Sequence, residues 1–170
     1  MQHKEPTVEM PNMAAYGVSA DDWTGLPWAW ALERLVANRN YWVVTVSTGG
    51  APHAMPVWGV WDASRNVFGF SCAQQSAKLR NLRANAHVAV TVSDTVECVS
   101  VQGIARLLEP SSPALFSIVE QYTAKYGNEV PGDLAEFVRA NALIEVIPSV
   151  AFGVIEREAE FAARATRWRF

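Results

Sequence analysis

The stretch Tyr41-Trp42-Val43-Val44-Thr45-Val46-Ser47-Thr48-Gly49-Gly50-Ala51-Pro52-His53-Ala54-Met55-Pro56-Val57-Trp58 decides the fold. Its first eight residues, Tyr41–Thr48, are β-branched and aromatic, the types that suit a pleated, half-buried strand. Gly49-Gly50 supplies a hairpin turn, and a second run, Pro52–Asp62, follows at once. Asp62–Asn66 reads as another turn and Val67–Ser71 as a third strand. Strands joined by turns this short run antiparallel, because a parallel return needs a crossover of about a dozen residues or more. That excludes a doubly wound parallel sheet, and no glycine-rich dinucleotide fingerprint follows the first strand.

Working outward, Val88–Ser93 and Cys98–Leu108 read as two more strands, and Leu143–Ile155 and Phe161–Phe170 as the last ones. Pro27 opens a short helix with Leu32, Leu35 and Val36 on one side. Ser112 is placed as N-cap of a longer helix with Pro113 at its first position. Leu115, Ile118, Val119, Tyr122 and Tyr126 give that helix one apolar side, and Gly127 stops it. A shorter helix covers Asp133–Ala140. Six or seven mostly hairpin-linked strands with inserted helices predict a mainly β fold, a small closed or partly split antiparallel β-barrel. Residues 1–25 lack periodicity and carry Pro6, Pro11, Gly17 and Gly25, so they read as an irregular arm before a barrel domain of residues 26–170.

At 170 residues, half of them hydrophobic, the chain suits one domain with a real core. A net charge of −3 argues against general nucleic-acid binding, which favours a basic surface. Cys72 and Cys98 give neither metal spacing nor a disulfide framework, which reads as a reducing cytoplasm. Met1 to Met13 hold no apolar run, so neither a signal peptide nor a membrane anchor is expected there.

Ser76-Ala77-Lys78-Leu79-Arg80-Asn81-Leu82-Arg83 puts a hydroxyl, a lysine and an arginine into the first turn of a short helix. Backbone N–H groups lack partners there and the helix dipole favours an anion, so the turn is a candidate phosphate seat. Its alternative is a solvated face with Leu79 and Leu82 packed inward. The preceding strand ends in Phe70-Ser71-Cys72-Ala73, small groups able to hold a ring by backbone and hydroxyl contacts. Pro52 and Pro56 remove ladder donors from the second strand, which places it at an edge or a bulge. Its exposed backbone could then bond the rim of a flat heterocycle. Trp58 and Trp61 also fit as core aromatics, and no acidic or hydroxyl partner orients His53 for catalysis. The tail Ala165-Thr166-Arg167-Trp168-Arg169-Phe170 docks either on its own barrel or at a site shared with a second subunit. With no acid/base pair, zinc spacing, nucleophile elbow or P-loop, an enzyme built this way draws its chemistry from a cofactor.

These pieces together resemble the pyridoxamine-phosphate-oxidase-like, split-barrel flavin-binding superfamily, and most of all its deazaflavin (coenzyme F420)-dependent oxidoreductases of actinobacteria. The resemblance runs over residues 28–170. It is carried by Gly49 to His53 followed by Pro56 to Trp58, by Ser76 to Lys78 with Asn81, Leu82 and Asn85, by the strand centred on Gly103, and by the closing Ala165 to Phe170. It implies a homodimer with the cofactor in a groove at the subunit interface. Met55, Pro56, Val57 and Trp58 would line the ring, and Ser71 and Cys72 would flank it. Ser76, Ala77 and Lys78, with Arg80 and Asn81, would hold the phosphate, and Trp168 would approach from near the partner chain. The flavin-mononucleotide oxidases usually carry arginine directly before this lysine, where Ala77 stands here. That tilts the implied cofactor from FMN towards F420, whose phosphate is a singly charged diester. The implied activity is hydride transfer from reduced F420 to a small unsaturated or quinone-like molecule, with an FMN-dependent reductase or oxidase, or a non-catalytic cofactor-binding protein, as alternatives.

Overall fold

In the computed structural model, which describes residues 5–170, six antiparallel strands close into a barrel and two more extend its wall. In chain order the elements are β1 (Thr7–Glu9), α1 (Trp28–Ala37), β2 (Asn40–Val46), β3 (Pro52–Asp62), β4 (Val67–Cys72), α2 (Ala77–Ala84) and β5 (His87–Val92). They continue with β6 (Glu97–Leu107), α3 (Pro113–Tyr126), α4 (Leu134–Ala140), β7 (Ala142–Ile155), α5 (Phe161–Arg164) and β8 (Thr166–Arg169). The barrel runs β2-β3-β4-β7-β6-β5 and closes because β5 also pairs with β2. Beyond β7 come β8 and then β1. No helix among the described residues is long and apolar enough to cross a membrane.

The meander is present as its turns dictate, and the mainly β, split-barrel reading holds. Expectations for the two ends of the chain change. Residues 7–9 of the arm form a strand, Val8 opposite Trp168, which a three-residue segment without alternation does not announce. Met1 to Lys4 lie outside the described residues. The closing segment is not one strand either: Phe161–Arg164 turns as a short helix before β8 begins.

Alternation along the strands sends one set of side chains inward. Tyr41 and Val43, Val88, Val90 and Val92, and Val99 and Val101 fill the barrel together with Phe68, Phe70, Val146 and Ile155. The α1 helix plugs one end with Trp28, Ala31 and Leu35, spaced i, i+3, i+7. Val36, expected on the apolar side, is exposed instead. A second core lies outside the barrel wall, where Leu115, Ile118, Val119, Tyr122 and Tyr126 of α3 and Leu134 and Val138 of α4 pack over Val60 and Leu143. Gly69 lets α3 approach: a Cβ there would stand 2.8 Å from Ile118. At Gly103, beside the β6–β7 register shift, a Cβ would stand 2.3 Å from the Ile147 carbonyl oxygen.

Lys125 ties α3 to the end of α1. Its Nζ donates to the carbonyls of Val36 (3.1 Å), Asn38 (2.6 Å) and Gly59 (3.2 Å) and to the Tyr41 hydroxyl (2.9 Å). No carboxylate pairs with it among the described residues, and burial pushes its pKa down to about 8. The native state therefore sheds this proton before the unfolded chain does, so stability should rise as pH climbs from about 8 towards the free-lysine value. We expect wild type to gain on the order of 1 kcal/mol over Lys125→Met between pH 7 and 9.5 in urea unfolding, after discounting for solvent screening. A constant difference between the two proteins would disprove this coupling.

Candidate functional site

The α2 helix starts where Ser76 is extended (φ −65°, ψ 148°) and its Oγ accepts the Leu79 N–H at 3.2 Å. The cap satisfies the third amide of the helix. The first two, of Ala77 and Lys78, have no intrahelical acceptor and remain free to donate. The Ser76 hydroxyl proton and the Lys78 ammonium complete a seat with four donors. Asn81, one turn on, is buried and donates through Nδ2 to Thr45 Oγ1 at 3.0 Å, locking α2 onto β2.

A cavity of about 720 Å³ opens beside this seat. On its strand side stand Pro56, Val57 and Trp58 of β3, Ser71 and Cys72 of β4, then Ala73, Ser76 and Lys78. On its helix side stand Tyr122 of α3, Val130, Pro131, Asp133, Leu134, Phe137, Val138 and Asn141.

The cavity exists because two strands part. Ladder pairing between β3 and β4 runs from Asp62↔Val67 to Gly59↔Phe70 and then stops. At the next step the Tyr122 hydroxyl stands between the strands, accepting the Ser71 N–H at 3.2 Å and donating to the Trp58 carbonyl. Pro52 to Trp58 pair with β2 alone, so this half of β3 is an edge, as its prolines require. Burial pushes the Tyr122 phenol far up, so it stays a neutral donor. Trp58 is fixed in its turn, stacked on Tyr126 at 4.7 Å with the Arg39 guanidinium 4.9 Å from its ring centre.

Of the residues singled out in the sequence, Pro56, Val57, Trp58, Ser71, Cys72, Ser76 and Lys78 are brought together around one cavity. Met55 is exposed on β3 just outside the lining, and Ala77 offers the seat only its amide. Arg80 turns to a neighbouring recess of about 540 Å³ that shares Ser76 and also holds Gln74, Gln75 and Arg83. Asn81 is a tether, not a lining residue. Trp168 needs correction: it is fully buried in its own barrel, its ring 5.5 Å from Trp28 and its backbone between Ala151 of β7 and Val8 of β1. A buried indole in β8 cannot reach a ring in this cavity.

The whole helix side was missed. Its one signal in the sequence is that the apolar stripe of α3 carries tyrosines four residues apart, whose hydroxyls must find partners when buried.

Residues 31–155 match the family model described as pyridoxamine 5'-phosphate oxidase. No curated protein matches the sequence. Among solved structures, a conserved hypothetical protein of Mycobacterium tuberculosis is 17% identical with a TM-score of 0.64, over 79% of this chain and 86% of that one. An F420 reductase is 22% identical with a TM-score of 0.54, over 70% of this chain and 93% of that one. A FAD-binding protein of Mesorhizobium loti is 15% identical with a TM-score of 0.58, over 85% of this chain and 96% of that one. At these identities the likeness establishes the fold.

Replacing Tyr122 by Phe should leave the Ser71 N–H and the Trp58 carbonyl without their bridge. We expect a loss of about 1–3 kcal/mol in urea unfolding at unchanged slope, the cost of unpaired polar groups at a part-buried site. An unmoved midpoint would mean that the hydroxyl holds nothing.

Proposed function

The chain belongs to the pyridoxamine 5'-phosphate oxidase family, and on that footing we propose that it is an oxidoreductase that uses reduced coenzyme F420 to pass hydride to a small unsaturated or quinone-like molecule. One observation carries the reading: the Ser76–Lys78 seat and the free edge of β3 at Pro56–Trp58 open into the same cavity. A phosphate at the seat would meet two amides, a hydroxyl and an ammonium, while the ring of the same molecule lies along the side of β3 that faces away from β2 and has no strand partner among the described residues.

The donor set suits a singly charged phosphodiester. Ala77 brings no guanidinium fork to the second charge of a phosphomonoester, which favours F420 over FMN. When bound, the deazaflavin supplies the hydride. The chain's own part is to grip the phosphate, hold the ring against Pro56 to Trp58 with Ser71 and Cys72 at its flank, and back it with Tyr122 of α3. The FMN-dependent reading on the same fold draws support from the family and from the FAD-binding neighbour. A non-catalytic binder is the remaining alternative, and it predicts tight binding without turnover.

We propose further that two copies of the chain pair to close the site. The outward-facing side chains of the barrel wall include Trp42, 46% exposed, and half-buried Val44, Val46, Ala89, Val150, Phe152 and Val154. Register sets them in rows, Trp42–Thr91–Ser100–Phe152 and Val44–Ala89–Gln102–Val150. A largely apolar sheet face of this kind fits a second copy of itself. The unpaired Cys72 and Cys98 suit a reducing cytoplasm.

Titration of purified protein with F420 and with FMN, followed by cofactor fluorescence, should give tight binding of F420. Tight binding of FMN alone would overturn the choice of cofactor. Lys78→Ala should weaken binding by roughly 1.5–3 kcal/mol, the value of a charge-assisted bond. Unchanged affinity would refute the phosphate seat.

A further inference from the structure

We propose that the α4 side of the cavity is a separate acceptor site for a neutral, flat, apolar molecule, with Phe137 as its stacking surface and Asp133 as its filter against anions. The proposal rests on the cofactor reading above and names the class of molecule that receives the hydride.

The two sides of the cavity differ in chemistry. The strand side carries Ser71, Ser76 and Lys78, the groups a phosphorylated ring compound would use. The α4 side presents Val130, Pro131, Leu134, Phe137 and Val138. Two of these explain themselves as packing: Leu134 is 7% exposed and Val138 is 1% exposed, both in the outer core. Phe137 has no such role. It lines the cavity yet is 66% exposed, a large aromatic surface left in water at the mouth of a binding space. Its backbone is fixed, since its carbonyl accepts the Asn141 Nδ2–H at 2.9 Å. A flat molecule covering that ring would remove it from water without any rearrangement of α4.

Charge selects the class further. Among the described residues of the lining, Asp133 is the only acidic side chain and Lys78 the only basic one. The Asp133 carboxylate is anchored as N-cap of α4 by the Glu136 N–H at 3.0 Å, so it cannot swing away without uncapping the helix. Once a phosphate occupies Lys78, the remaining charge facing an acceptor is negative. An anionic acceptor meets repulsion there, and a neutral one does not.

Two probes of one shape test this: anthraquinone-2-carboxamide, neutral, and anthraquinone-2-carboxylate, anionic. Each is titrated into F420-loaded protein by equilibrium dialysis, a reading independent of turnover. The carboxamide should bind about tenfold tighter than the carboxylate, a difference of about 1.4 kcal/mol. Phe137→Ala should weaken carboxamide binding about fivefold or more and Phe137→Trp should restore it, while F420 affinity stays within about twofold. Asp133→Asn, which keeps the cap, should bring the two probes about threefold or more closer together. Equal affinities in the wild type, no binding of either probe, or wild-type affinity in Phe137→Ala would overturn the acceptor site while leaving the cofactor reading standing. Failure of F420 and FMN alike to bind would remove the cofactor reading, and the acceptor site with it.

Discussion

Two tyrosine hydroxyls of α3, four residues apart, hold strand β3 at the point where its neighbours leave it. Tyr126 OH accepts the Gly59 N–H at 3.1 Å and lies 2.7 Å from the carbonyl oxygens of both Gly59 and Arg39, where the β2 ladder ends. Tyr122 OH does the same work one residue away, between Trp58 and Ser71, where the β4 ladder ends. A buried backbone group without a partner is costly, so strands cannot simply separate inside a protein. The spacing of four places both phenols on one helix face, and each supplies a donor and an acceptor where water would otherwise have to enter. The barrel can open at this seam because a helix fills it.

Much follows from that substitution. The α3 helix must lie flat on the outside of the barrel for its phenols to reach the seam, and Gly69 is the residue that lets it settle there on Ile118. With α3 in place, α4 packs behind it through Leu134 and Val138 and overhangs the opened strands. The cavity is thus bounded by a seam on one side and by the seam's own plug on the other. Lys125, between the two tyrosines in sequence, extends the same device by donating to Gly59 and to the last carbonyls around α1.

Local rules made part of this legible. Gly49-Gly50 and Asp62–Asn66 mark turns whose shortness forces antiparallel pairing, and Pro52 and Pro56 mark β3 as an edge where it is one. The helix read from Ser76 onward is α2, with Ser76 standing as its cap one place before the first turn, and the five apolar residues read along α3 are the five it buries. What stayed hidden depends on contacts distant in sequence. A strand as short as Thr7–Glu9 has no period of its own and exists only because β8 lies beside it. The sequence of the tail allows docking either on its own barrel or on a partner, and periodicity does not choose. The choice falls to Trp28, whose ring meets both Trp168 and Phe170. The placement of α4 over Lys78 and Cys72 is likewise a property of the packed α3–α4 pair, absent from either helix alone.

A last element fixes the register of β4 from outside the cavity. Glu145, in the apolar run of β7, is fully buried and ion-paired to Arg65 from the β3–β4 turn and to Arg106 of β6. Glu145 gives up its water entirely, while its partners keep part of theirs (Arg65 29% and Arg106 55% exposed), and an ion pair of this kind is weak evidence for stability. Its physical effect here is on register. Glu145 stands opposite Gly69 on one side and Arg106 on the other, and a slip of one residue would turn its carboxylate to the opposite face of the sheet, away from both guanidinium groups. The same ladder pairs Ser71 with Leu143 and Cys72 with Ala142, which directly follows Asn141, the C-cap of α4. A carboxylate that cannot leave its arginines therefore dictates which β4 residues face the cavity and where α4 begins its overhang.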